Sequence, residues 1–151
     1  MADFSGYAKK KLTGKTAWLE IADLTERPIR LECAPAIGNA NKAYRLEMMR
    51  VKQVVGEVEK ANAKTPEQQL EAAQRIEGGI TQALCDAVVV GWAGVVDTAT
   101  GEAVPFSSRE LAEFFRQAPE DLPDRVYAFA SNPKSFNLDD PAVISKNSER
   151  G

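Results

Sequence analysis

The chain has 151 residues, 44% hydrophobic and 27% charged, a size and balance that describe one folded domain able to bury roughly two-thirds of its unfolded surface and exclude a disordered or membrane-embedded class. Its 19 basic and 22 acidic side chains leave a net charge of -3, so neither nucleic acid nor anionic lipid is attracted in general, and neither is an expected partner. Histidine is absent, which removes the commonest general base at neutral pH, the commonest metal ligand, and with them any Ser-His-Asp or Cys-His site.

No run approaches the roughly 18 to 20 apolar residues of a membrane span, and no signal-peptide core follows the first lysines, so the chain is expected to stay in the cytosol. Residues 1–15, carrying Lys9, Lys10, Lys11 and Lys15, read as a flexible basic arm. Residues 16–137 read as a single compact domain, and 138–151 as a mobile polar tail. Between 16 and 34 the apolar residues Trp18, Ile21 and Leu24 precede a Thr25-Glu26-Arg27-Pro28 break, after which Ile29, Leu31 and Cys33 alternate with Arg30 and Glu32. That pattern predicts a β-hairpin with one buried face.

Pro35 and the segment Gly38-Asn39-Ala40-Asn41 end the extended region and offer N-caps. From Asn41 to about Ala63 the residues Tyr44, Met48, Val51, Val55 and Val58 recur at alternating steps of four and three, the stripe of an amphipathic helix about 30 Å long. Thr65, Pro66 and Gln68 then stand at the cap, first-turn and capping-box positions of a second helix. Its stripe runs Leu70, Ala73, Ile76, Ile80, Leu84, Ala87 and Val88, interrupted by Gly78-Gly79, a pair suggesting a kink or close packing. Two such helices joined by a short connection predict an antiparallel hairpin. The stripe can serve the core or receive a partner helix, in which case Tyr44, Met48, Val51 and Val55 are the partner-binding candidates.

Residues 88–106 return to strand character on both sides of Asp97-Thr98-Ala99-Thr100-Gly101-Glu102, predicting a short second hairpin. Ser107 with Glu110 forms a capping-box pattern, and Phe106 with Leu111 a hydrophobic staple, for a short helix bearing Leu111, Phe114 and Phe115. Pro123 opens another carrying Val126, Phe129 and Ala130. The expected fold class is therefore α+β, mainly α: an N-terminal β-hairpin, two long amphipathic helices, a short β-hairpin and two short C-terminal helices.

The search for chemistry yields no catalytic, cofactor-binding or metal-binding residue. Cys33 and Cys85 sit in apolar surroundings without CxxC spacing, where a reduced thiol behaves as a small hydrophobe. Gly78-Gly79 and Gly91-Gly94 lack the lysine and helix context of a phosphate-binding loop. Asp97 with Glu102, Glu120-Asp121 and Asp139-Asp140 fall in turns and termini; Asp97 reads as turn chemistry and Asp121 as a helix cap. No cofactor is expected, and the chain is expected not to be an enzyme. The second half is rich in aromatic side chains, among which Phe115 and Phe136 are the candidates to stay partly exposed and anchor a partner.

The order Gly91-Trp92, Val95-Val96-Asp97, Gly101, Val104-Pro105-Phe106-Ser107, Glu110-Leu111-Ala112, Pro119 and Ala130-Ser131-Asn132 to Phe136 resembles the tail assembly chaperones of long-tailed, siphovirus-type bacteriophages. The likeness covers roughly 45 residues, and each of its elements, the capping box, the turn and the aromatic core, is also a generic structural signal. It implies a non-enzymatic late protein of the host cytoplasm that holds the extended tape-measure protein, with the major tail protein as a further partner, and that is absent from the mature virion. It also implies a longer, frameshifted product of the same gene. A homo-oligomer is compatible with the sequence. The alternative of a different class is a structural virion component, such as a head-tail connector or tail-completion protein.

Overall fold

A computed structural model of the chain describes residues 15–24 and 27–137. The expected basic arm, apart from Lys15, and the expected tail lie outside the described residues. Strands β1 (Ala17–Ile21) and β2 (Ile29–Cys33) form the predicted hairpin, with Ala17 opposite Cys33 and Ile21 opposite Ile29. Period-two alternation turns Ile21, Ile29, Leu31 and Cys33 into the core and sends Glu20 and Arg30 outward. Trp18 goes outward with them, which corrects its placement in the apolar series: it is 45% exposed, under the Arg30 guanidinium at 5.3 Å.

The two long helices follow as α1 (Lys42–Ala61) and α2 (Pro66–Ala87). Asn41 begins α1: its Oδ1 accepts the Tyr44 amide at 3.1 Å, while its Nδ2 donates to the carbonyls of Pro35 at 3.0 Å and Ala87 at 2.7 Å. One side chain thus caps α1 and ties it to the end of β2 and the end of α2. Asn62 closes α1 in the left-handed region at φ 49, a conformation that asparagine tolerates better than most residues. Thr65 and Gln68 complete the reciprocal capping box of α2. The second helix runs unbroken through Gly78-Gly79.

Strand β3 (Val89–Ala93) departs from the expected second hairpin. It pairs antiparallel with β2, giving one sheet in the order β1-β2-β3, with an irregularity at Glu32/Cys33. The turn after it still closes, but only Val96 and Ala103 bridge across it. The reason is that Val89 and its neighbours satisfy their backbone groups and their buried face against β2, leaving little strand for a local partner. Gly94, at φ 82, releases the chain from the sheet; a Cβ there would lie 3.1 Å from the Pro28 carbonyl oxygen.

Three helices complete the fold: α3 (Ser108–Gln117), α4 (Leu122–Ala130) and a single turn, α5 (Lys134–Asn137). Ser107 accepts the Glu110 amide at 3.0 Å. Asp121 occupies the cap position of α4 without a side-chain hydrogen bond, so Pro123 in the first turn does more than Asp121 to start that helix. The core gathers the inner sheet face, the C-terminal end of α2, and Leu111, Phe115, Leu122, Val126, Ala130 and Phe136. No charged or polar side chain is buried among the described residues.

Candidate interaction surface

The core contains no residue between Met49 and Ala83. Most of α1 and α2 therefore forms a two-helix arm held by its own seam, with Val51 and Ala83 buried between the helices and Val55, Val58, Ile76 and Ile80 half-buried. Gly79 lets α2 approach: a Cβ there would sit 3.7 Å from Val51 Cγ2, an ordinary contact. Near the tip Arg75 of α2 pairs with Glu57 of α1, beside a small cleft lined by Val58, Ala61 and Ala72.

The expected partner-binding residues are placed as follows. Tyr44 and Val51 are buried, Met48 is packed against the core, and Val55 is half-buried. The sequence leaves both readings of the stripe open, and the arm resolves them: the stripe is occupied by α2 of the same chain. Phe115 and Phe136 are corrected outright, being 6% and 8% exposed. Phe115 lies one turn beyond Leu111 on the inward face of α3, and α5 folds Phe136 back to 6.1 Å from Phe129. Trp92 organises the same region: its rings meet Phe106 at 5.3 Å and Phe114 at 5.8 Å edge-on, and its Nε1 donates to the Val104 carbonyl at 2.8 Å.

The exposed apolar side chains of the arm are others. Leu46 is 56% exposed, Met49 58% and Leu70 60%. At about 100° per residue, Leu46 and Met49 point away from the Val51 stripe, and Leu70 lies well off the Ile76 stripe of α2. A signal for the first two is present in the sequence: both are apolar and neither fits the four-three spacing.

Charge divides between the two outer faces. On α1 the exposed Lys42, Arg45, Lys52 and Lys60 form no ion pair among the described residues, whereas Glu47 pairs with Arg50 and Glu57 with Arg75, leaving Glu59 as the one unpaired acid of that helix. On α2, Glu67, Glu71 and Glu77 are exposed and unpaired, and Arg75 is the one cation. The first turn of α1 holds no acid, so Lys42 sits at the positive end of the helix dipole, an unfavourable place for a cation.

Chemical groups elsewhere serve structure. Asp97 Oδ1 accepts the amides of Ala99 at 2.8 Å and Thr100 at 3.3 Å, the turn role expected of it. Arg116 and Gln117 pull the Glu113 carboxyl down to about 2, and the hydrogen bonds from Arg125 hold Asp23 below its usual range. Both shifts favour the anion, the opposite of what a general acid needs. Burial pushes the Cys33 thiol up to about 12 and Cys85 up to about 11, making both poor nucleophiles. Among the described residues no three His, Cys, Asp or Glu side chains are grouped to hold a metal ion, and no helix is long and apolar enough to cross a membrane. Comparison with known proteins gives no matching family, no similar curated protein and no similar solved structure.

Proposed function

We propose that the chain is a non-enzymatic assembly chaperone of a long-tailed bacteriophage. It works in the host cytoplasm, holds the tape-measure protein during tail assembly, brings the major tail protein to it, and is left out of the mature virion. The observation that carries the binding role is the exposed Leu46 and Met49 on the outer face of an arm whose own seam is already filled. A helical client with an apolar stripe is matched by such a face. Modest affinity per copy suits a client that must later be released, and many copies along one chain supply the hold. The phage assignment itself rests on the sequence resemblance from Gly91 to Phe136.

The direct test is co-expression with the tape-measure protein encoded downstream, followed by pull-down. Wild-type chain is expected to retain the client, and Leu46→Glu/Met49→Glu to lose it with an unchanged circular dichroism spectrum. Mass spectrometry of purified virions separates this reading from a structural virion component. Stoichiometric copies in the particle would overturn the chaperone reading.

A further inference from the structure

The outer face of α1 presents unpaired cations around exposed Leu46 and Met49, and the outer face of α2 presents unpaired carboxylates around exposed Leu70. We propose that these two faces are made for each other across copies of the chain, α1 of one copy lying against α2 of the next. Within one chain they cannot meet, because the helices already face each other through Val51, Gly79 and Ala83.

Three observations converge on a second copy as the occupant. The charges are complementary in sign and similar in number: Lys42, Arg45, Lys52 and Lys60 on one side, Glu67, Glu71 and Glu77 on the other. Each face also contributes apolar surface, so the contact has a desolvated centre with charge around it, the usual anatomy of an interface. Small residues lie on both outer faces, Gly56 on α1 and Gly78 on α2, with open space where a Cβ would be; they allow helices to approach closely. Because the two faces lie on opposite sides of the hairpin, one partner copy cannot cover both, and the contact is head-to-tail, passing from copy to copy. It also brings carboxylates towards the α1 face on which Lys42 opposes the helix dipole.

Leu46 and Met49 would serve this pairing as well as the client contact proposed above, so a client competes with the second copy. The pairing does not rest on that function, because the purified chain alone tests it. Sedimentation over a concentration series is expected to show the mass rising from 16.5 kDa through twice that value and beyond it, with association weakened at least about tenfold when salt reaches roughly 0.5 M. Arg45→Glu/Lys52→Glu should remain monomeric, as should Glu71→Lys/Glu77→Lys. An equimolar mixture of the two should associate again, since each reversed face then meets its complement. A wild-type chain that stays monomeric throughout overturns the proposal, as does a mixture that fails to associate. Should a reversed chain lose helicity, the wild-type salt dependence decides, and salt-insensitive association would count against the pairing.

Discussion

Asn41 holds three segments with one amide group, and its energetic weight can be reasoned from what its loss leaves behind. Alanine there removes the cap on the Tyr44 amide and both donors to the carbonyls of Pro35 and Ala87. A lost cap costs roughly 1 kcal/mol, and partly buried carbonyls left without donors add to it. Asn41→Ala is therefore expected to lower stability by about 2 kcal/mol, read as a fall in urea midpoint. Asn41→Asp keeps the cap but loses both donors and should recover only part of that. The cap is legible in the sequence as one of several small polar residues before an apolar stripe. Its two long-range bonds are not, because nothing in the local pattern says that residue 87 returns to residue 41.

The thiols give a second residue-scale expectation. Buried Cys33 and Cys85 should resist a thiol reagent in native protein and react on unfolding. Both folded-state values are raised above the ordinary 9.0, so the stabilising preference for the neutral thiol is complete below that pH. It fades as the unfolded thiols ionise and is lost as pH climbs towards about 11 and 12. Burial raises Tyr44 as well, adding to an alkaline loss that thermal melts across that range would measure.

At the scale of elements, helices are readable because a period of about 3.6 and a cap are local properties, whereas strand pairing is not. The Thr65 capping box and the Val51 stripe need only neighbours in sequence. The fate of Val89–Ala93 depends on an edge of β2 far upstream, so local turn chemistry at Asp97 suggests the nearer partner. Likewise, aromatic content cannot separate buried Phe115 from exposed Met49, since that depends on which face α2 and the sheet cover. The glycines sort themselves by conformation. Gly78 lies within a regular helix with open space at its Cβ position, so Gly78→Ala should raise stability by roughly 0.5 to 1 kcal/mol. Gly94 is at φ 82, and a Cβ added to it would meet the Pro28 carbonyl oxygen at 3.1 Å. Gly94→Ala should instead lose roughly 1 to 3 kcal/mol, through backbone strain and that close contact. Differential scanning calorimetry of the two variants would show shifts of opposite sign.

For the whole molecule, the decisive feature is that burial is concentrated at one end. The core joins the sheet, the base of α2 and the three C-terminal helices, while the arm beyond Met49 and before Ala83 contributes no member to it. Cutting the arm short, by replacing residues 54–73 with a tight turn, removes a seam of half-buried side chains and an exposed ion pair, but no core contact. The shortened chain is expected to unfold cooperatively, with the near-ultraviolet signal of Trp92 retained and a urea dependence lowered in proportion to the surface removed. Hydrogen exchange on the intact chain should show the same gradient, fastest for amides near Asn62 and slowest for Leu84 to Val89, because local opening costs least where fewest apolar contacts are lost. If the shortened chain failed to fold, the arm would have to be part of the folding unit and not a projection from it. Its outer faces would then be structural surfaces first, and the Leu46 and Met49 substitutions would have to be judged by their effect on stability before their effect on binding.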